Sequence, residues 1–250
     1  MRAVMRSVLI AASLYAVGCG GMKYKIDDAL LADVPPGEKS SMLQIQSDLN
    51  VASEEKNKAM SDAAITEKEV SVASAEYDQS KAEVNKVKAE RDLAETTKDL
   101  NRITAAKTKL QQAELARDVA DAKVDWQKAR RGHAKAVQEA AEKRIAALQA
   151  RYEQAKAQLA QQKGKKPTAD FNVAAFDEQA GKAQSKYDEA KLDADRKQAS
   201  VTNLESKYNQ LVQKWQMLQQ QSQVQTGGMP MPTQAPPPPA SAPAAPPPPM

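Results

Sequence analysis

A long run without proline limits the structures that this chain can adopt. Between Ser41 and Gln162 there is no proline, and the single glycine is Gly132. Proline breaks a helix interior because it lacks a backbone donor and clashes with the preceding turn, so its absence permits a very long helix. Apolar and small residues recur along the run at alternating steps of three and four, the heptad spacing of coiled coils. These features predict one helix over residues 41–162.

A shorter helical segment follows a clear break. Residues 163–171 contain glycine and proline and predict a turn. Over residues 172–224 the heptad steps hold without interruption, which predicts a second coiled-coil helix. Because the intervening turn is short, we expect the second helix to run back along the first. The predicted fold class is all-α, a long coiled-coil helical hairpin.

Capping residues mark both predicted helix starts. Ser41 and Gln44 have the spacing of a capping box, in which each side chain bonds to the backbone N–H of the other residue. Asn172 is a preferred N-cap residue. Phe171 before it and Phe176 four residues after it are placed to pack together as a hydrophobic staple. We therefore expect helices to begin near these two capping positions.

The two predicted helices differ in length, and this leaves one apolar stripe without a partner. Residues 172–224 cover only the later part of the first helix, so the stripe over 42–110 is uncovered. Since an apolar helix face must be buried, we expect residues 42–110 to form a homo-oligomer or to bind a helical partner. The alternative is a bend that folds this part back as a third helix.

The C-terminal segment, residues 225–250, has a different composition. Eleven of the fourteen prolines lie after Gly228. A segment so rich in proline forms neither helix nor sheet, and we expect it to be disordered or to adopt polyproline II. Such segments dock into aromatic grooves or act as spacers. We therefore expect this tail either to contact a protein partner or the cell wall, or to act only as a spacer.

Composition argues against a compact catalytic domain. Only 4% of the residues are aromatic, although aromatic side chains supply much of the buried surface of globular cores. The formal charge is +4, from 36 basic and 32 acidic residues, and the two signs are interspersed. This mixed surface lacks the basic patch of a nucleic-acid-binding protein. We therefore expect neither an enzyme nor a nucleic-acid partner.

The residues that most often carry chemistry do not form a site in this sequence. His133 is the only histidine, and it lies between Arg131 and Lys135, which repel a bound cation. We interpret it as a surface residue. The basic residues 128–135 are flanked by acidic ones, which is typical of a solvated helix face. The sequence predicts no catalytic residue, no metal ligand and no cofactor.

The N-terminus has the pattern of an export signal. Arg2 and Arg6 are its only charges, and an apolar run follows from Val8 to Val17. This run is too short to cross a bilayer, which requires about 20 residues in a helix. A basic start, a short apolar run and small residues before a cleavage point are typical of a secretory signal peptide. We expect residues 1–18 to be removed.

The residues at the expected cleavage point carry a family resemblance. Ala16-Val17-Gly18-Cys19 resembles the lipobox of bacterial lipoproteins, although that family prefers leucine at the position of Ala16. The resemblance implies that Cys19 becomes the first residue and carries diacylglyceryl and acyl groups. It also implies a membrane anchor in a bacterial cell envelope, with Gly20 favouring the outer membrane, facing the periplasm. The alternative is ordinary secretory cleavage, which leaves Cys19, the only cysteine, as a free thiol.

Together these features predict a non-enzymatic envelope protein. Residues 19–40 are expected to be a tether between the lipid on Cys19 and the helices. The expected role is that of a spacer, scaffold or assembly factor. The alternative is an adaptor whose helical hairpin binds a membrane channel or transporter, as the hairpins of periplasmic adaptor proteins do. Those proteins also contain β-rich domains, and this sequence has no strand signals.

Overall fold

Three long helices dominate the computed structural model, which describes residues 24–167 and 171–225. Two short 3-10 helices, Asp28–Leu31 and Pro36–Lys39, precede them, and no strand occurs in the described ranges. The three long helices pack as a hairpin bundle, which confirms the predicted all-α class and helical hairpin. Their bounds are α1, Ser40–Thr96; α2, Leu100–Gln162; and α3, Val173–Gln225.

Several predictions concern residues outside the described ranges. These are the signal peptide over 1–18, the lipid on Cys19 and the proline-rich tail beyond residue 225. They stay predictions.

The prediction of one uninterrupted helix over 41–162 is wrong, because α1 ends at Thr96. The hydroxyls of Thr96 and Thr97 donate to the carbonyl oxygens of Leu93 (2.6 Å) and Ala94 (2.7 Å). Threonine hydroxyls that bond to backbone carbonyls in this way compete with the helical N–H groups. The two adjacent threonines therefore weaken the helix where it ends.

The next two residues complete the turn and start α2. Lys98 has a φ of 56°, in the left-handed region that terminates many helices. The Asp99 carboxylate accepts hydrogen bonds from the backbone N–H groups of Asn101 (2.9 Å) and Arg102 (3.3 Å), so Asp99 is the N-cap of α2. The chain therefore bends between α1 and α2, which is the alternative given in the sequence analysis. This bend contains neither glycine nor proline.

The turn between α2 and α3 closes on a glycine. Gly164 has a φ of 67°, in the left-handed region. Glycine adopts this conformation at little energetic cost because it has no Cβ. Its N–H donates to the carbonyl of Gln161 (3.0 Å), and the N–H of Lys165 donates to the carbonyl of Ala160 (2.8 Å). This pair of bonds is a Schellman motif, which satisfies the last carbonyl groups of α2.

The predicted start of α3 is confirmed. The Asn172 side chain accepts a hydrogen bond from the N–H of Ala174 (3.0 Å), so Asn172 is the N-cap. The rings of Phe171 and Phe176 lie with their centroids 6.1 Å apart, as the hydrophobic staple requires. The predicted capping box of α1 is wrong, because Ser41 lies inside a helix that continues directly from the 3-10 helix Pro36–Lys39.

Oppositely charged side chains pair between α1 and α2 at positions nearly symmetric about residues 99–101. This register requires the two helices to run antiparallel. The pairs are Glu55–Arg144, Lys56–Glu142, Glu69–Arg130, Glu76–Lys123, Lys88–Glu114 and Glu90–Lys109.

The described chain divides into two compact units, of which residues 24–79 and 120–208 form the first. Its interior is rich in alanine, and four alanines have no exposed surface. Small side chains at a contact let helix axes approach closely. These alanines are Ala52, Ala73, Ala157 and Ala160.

Residues 80–119 and 209–225 form the second unit. Its buried apolar cluster consists of Val84, Val87 and Leu110. The Gln112 side chain donates to the Ser222 hydroxyl (2.6 Å), which links α2 to α3.

The apolar stripe over 42–110 therefore has partners within the chain. Apolar residues of α1 in this range are buried in each unit, among them Ala52 and Val70 in the first and Val84 in the second. The observation from which we predicted self-association or a helical partner no longer holds. Self-association itself stays a prediction.

Candidate functional site

Residues 24–39, here called the N-terminal strap, lie against the helices of the first unit. We predicted them as part of a tether over 19–40. Instead, Ile26, Leu31 and Val34 are buried, and Leu31 is the largest fully buried side chain described. They join residues of α1, α2 and α3 in one apolar cluster that includes Phe176. Burying a side chain of this size contributes about 1.5–3 kcal/mol, so the strap is held firmly.

Helix side chains bind the extended backbone of the strap at alternate residues. The N–H of Tyr24 donates to the Gln179 side chain, whose amide donates back to the Tyr24 carbonyl, both at 3.2 Å. The N–H of Ile26 donates to Glu153 (2.7 Å), and Lys156 donates to the Ile26 carbonyl (2.9 Å). Two residues of the strap thus have both backbone groups satisfied by side chains, as a neighbouring β-strand would satisfy them.

Lys156 is the central charge of this site. Its side chain is only 5% exposed, and Nζ lies 2.7 Å from Asp28 and 3.0 Å from Glu153, which is also buried. Nζ lies 4.8 Å from the centroid of the Tyr152 ring, a cation–π contact. A buried charge is tolerated only when it is paired and hydrogen-bonded, and Lys156 meets both conditions.

The environment favours the charged form of Lys156. Burial is the largest single influence and lowers the pKa of the ammonium group, but the hydrogen bonds and the negative charges of Asp28 and Glu153 together raise it by more. The pKa of Lys156 therefore lies above its ordinary value. The group stays charged at any pH at which the protein is expected to work.

Lysines of the α2–α3 turn bind the later part of the strap. Lys165 donates to the carbonyl of Leu30 (2.8 Å) and pairs with Asp33, and Lys163 pairs with Glu38. The hydrogen bond from Lys165 lowers the pKa of the Asp33 carboxyl. These contacts are exposed and add less to stability than the buried pair, but they set the position of the strap along the turn.

An open cavity of about 210 Å³ lies beside the strap. Sites for small molecules usually measure about 300–1,000 Å³, so this cavity is small for a ligand site. Its lining is Asp28, Leu31, Lys39, Met42, Leu43, Gln46 and Tyr152.

His133 is half-buried, which differs from the predicted surface position. Burial lowers the pKa of His133, and the charge of Asp195 on α3 opposes this effect. Within the ranges that the structure describes, no group of three or more His, Cys, Asp and Glu side chains is placed to hold a metal ion.

The basic residues predicted as a solvated face are largely paired with α1. Arg130 bonds to Glu69 (2.7 Å), while Arg131 (3.0 Å) and Lys135 (3.2 Å) share Glu67. The hydrogen bonds of Lys135 and Arg131 lower the pKa of Glu67. This cluster therefore links α1 to α2. The acidic residues near it in sequence had favoured the interpretation as a solvated helix face.

Trp126 forms an aromatic contact between α2 and α3. Its ring stacks on Tyr208 with centroids 5.4 Å apart and planes 11° apart, and the Arg130 guanidinium lies 5.3 Å from the Trp126 centroid. The indole N–H is buried without a hydrogen-bond partner among the described residues.

The residues that bind the strap were not identified from sequence. Glu153, Lys156 and Gln179 lie on helices whose other positions are also rich in charged and amide side chains, so nothing in their spacing marks them. The one available signal was the alternation in residues 24–27, where Tyr24 and Ile26 are separated by the exposed Lys25. Such alternation is typical of an extended segment with one buried face.

Comparison with protein-family models, with curated proteins and with solved structures found no match for this chain. Of the helices within the described residues, none combines the length and the apolar character that crossing a membrane requires. The functional conclusion therefore depends on the residues themselves.

Proposed function

We propose that this chain is a non-enzymatic, lipid-anchored protein of a bacterial cell envelope, which acts as a spacer, scaffold or assembly factor. The observation that carries the proposal is the order of its parts. A signal-like segment ends at the only cysteine, Cys19, and a long helical bundle follows, whose first long helix begins at Ser40. Lipid on Cys19 would attach the bundle to a membrane, most simply the outer membrane on its periplasmic side.

The bundle supports a structural role. Its interior consists mainly of small and aliphatic side chains packed between helices, and its charged residues pair from helix to helix. These features serve to keep the helices in register. The proline-rich segment after α3 would then provide a contact for a protein partner or for the cell wall.

The mass of the mature N-terminal peptide tests the anchor directly. The protein is expressed in a bacterium with normal lipoprotein processing, and its N-terminal peptide is measured by mass spectrometry. A peptide that starts at Cys19 and carries diacylglyceryl and acyl groups is expected. A Cys19→Ala variant serves as the matched control and should lack both the lipid and membrane association. An unmodified wild-type N-terminus would contradict the proposal.

A second candidate is an adaptor that binds a membrane channel or transporter. One observation in the second unit favours it. Leu93 and Leu100 flank the α1–α2 turn and are 67% and 79% exposed, and exposed apolar side chains at a hairpin turn suit docking into a protein groove. Crosslinking from Leu100→Cys in envelope preparations would test this, since recovery of no channel or transporter would count against it.

A further inference from the structure

We infer that the strap holds the α2–α3 end of the first unit against the lipid surface, with the exposed Lys25 and Lys166 over the headgroups. This inference rests on the proposed lipid anchor at Cys19. It adds the orientation of the first unit and the surface that contacts the membrane, neither of which follows from an anchor alone.

Only a short length of chain connects the anchor to the bound strap. Tyr24 is bonded to Gln179 through both its backbone groups, and its ring lies 5.7 Å from that of Phe176. Only four residues, 20–23, separate Tyr24 from Cys19. The five Cα-to-Cα steps from Cys19 to Tyr24 span at most about 18 Å when the chain is fully extended. A lipid on Cys19 therefore keeps this end of α3 within that distance of the membrane surface.

Buried contacts hold the strap firmly on the helices. The buried pair of Lys156 and Glu153 binds the backbone of Ile26, and Leu31 is 2% exposed. Release of the strap would expose these apolar side chains and leave a buried charge pair without its backbone partners. If it were released, the chain from Cys19 to Ser40 would span up to about 75 Å. The bound strap thus changes a long tether into a short one.

The surface at the α2–α3 end of the first unit carries two exposed lysines. Lys25 and Lys166 are exposed, and neither forms an ion pair with another described residue. By contrast, Lys163 and Lys165 of the same turn are paired with strap carboxylates. Exposed lysines close to a membrane are attracted to anionic headgroups, by about 1 kcal/mol each. The two unpaired lysines are the ones that the strap leaves available for lipid phosphates.

Energy transfer to the membrane tests this orientation. Cys19 is the only cysteine, so in the lipidated protein an introduced cysteine is the only free thiol to label. Lys166→Cys and the matched control Lys128→Cys, also exposed and on α2 of the same unit, are labelled with a donor dye. The full-length lipidated proteins are placed in vesicles of phosphatidylethanolamine and phosphatidylglycerol that contain a headgroup-labelled acceptor.

Strong transfer is expected from position 166. Position 128 lies about 50 Å further along α2, so transfer from it should fall to near background. Equal transfer from both positions, or stronger transfer from 128, would overturn the inference. Because this variant lacks Lys166, replacing phosphatidylglycerol with a neutral lipid tests Lys25. The replacement is expected to weaken transfer from 166, and no change would remove Lys25 as a headgroup contact.

Two further variants test the strap itself. Gln179→Ala with Lys156→Met weakens its binding, and a flexible insertion after Gly21 lengthens the chain while leaving the bound strap intact. Both should reduce transfer from position 166. If neither does, the strap does not set the orientation.

Mass and vesicle flotation of the same samples separate the two proposals. An unmodified Cys19 that does not float with vesicles overturns the lipid anchor and this inference together. An acylated Cys19 that floats, with equal transfer from both positions, overturns only the orientation.

Discussion

Single residues decide where the helices end and what the strap binds. Lys98 adopts a left-handed backbone conformation that glycine adopts at no steric cost, while Gly164 serves the equivalent purpose in the other turn. Lys156 and Glu153 form a buried ion pair, both bond to the backbone of Ile26, and Lys156 also pairs with Asp28. The two cases differ in kind, because the first concerns backbone strain and the second concerns desolvation.

Lys98→Gly is expected to stabilise the protein. A left-handed conformation costs a residue with a Cβ about 1 kcal/mol, and glycine removes that cost. The free energy of unfolding, measured in urea, should exceed that of the control Lys98→Ala by about this amount. The alanine variant loses the same charge but keeps the Cβ, so equal stability of the two variants would show that Lys98 is not strained.

Lys156→Met is expected to destabilise the protein by about 3–5 kcal/mol, because it leaves the buried carboxylate of Glu153 without its partner. Lys128→Met, an exposed change on the same helix, should cost less than about 0.5 kcal/mol. Urea unfolding measures both. Adding Glu153→Gln to Lys156→Met should recover part of the loss, since an amide still accepts the N–H of Ile26 without a buried charge.

The contribution of Lys156 should depend on pH in one direction. Because its folded-state pKa is raised, its stabilising effect is complete below the ordinary lysine pKa of about 10.4 and is lost as the pH rises through the folded-state value. The difference in unfolding free energy between wild type and Lys156→Met should therefore shrink in strongly alkaline solution. A difference that shrank already at neutral pH would contradict this account.

At the scale of whole helices, packing depends on alanine. Ala73 has no exposed surface, while Ala75 on the same turn of α1 is exposed. Heptad spacing brings such small residues to one face, and their size allows close contact with the neighbouring helices. The small residues in the apolar stripe of α1 therefore suit this stripe to a tightly packed interface.

Ala73→Leu is expected to lower the unfolding free energy by about 1–3 kcal/mol, because the interface has no room for the added side chain. Ala75→Leu makes the same chemical change on the exposed face and should be close to neutral. Thermal unfolding followed by circular dichroism compares the two. Equal effects would show that the alanine interface is looser than the structure indicates.

At the scale of the whole molecule, the two units differ in their buried cores. The first has a large apolar cluster completed by the strap. The second has a cluster of only three buried residues, Val84, Val87 and Leu110, with Ala94 and Ala106 buried beside them in the sequence. Since few buried contacts mean easy local opening, the helices should be less stable where they cross the second unit.

Hydrogen exchange should reveal this difference. Backbone amides of residues 80–119 are expected to exchange faster than those of 40–79 and 120–162, measured by mass spectrometry of peptides. Val84→Ala, which truncates a side chain that is 2% exposed, should lower protection further in the second unit and leave the strap unaffected. Equal protection along both units would show that they open together.

The sequence by itself determined the features that depend on neighbouring residues. Heptad spacing predicted helices, Gly164 and Pro167 predicted the α2–α3 turn, and Asn172 with its two phenylalanines predicted the start of α3. In each case the physical cause, a periodicity, a permissive backbone or a capping side chain, acts within a few residues. Such causes can be read without knowing what lies elsewhere in the chain.

Only the tertiary structure decided the bend at residues 97–99 and the position of the strap. The bend consists of two threonines, a lysine and an aspartate, which by themselves break a helix only weakly. The chain bends there because α1 and α2 can then pack their apolar stripes against each other. The strap binds Glu153, Lys156 and Gln179, more than 120 residues away along the chain. No local pattern encodes a contact of that separation, because the folded helices create the binding surface.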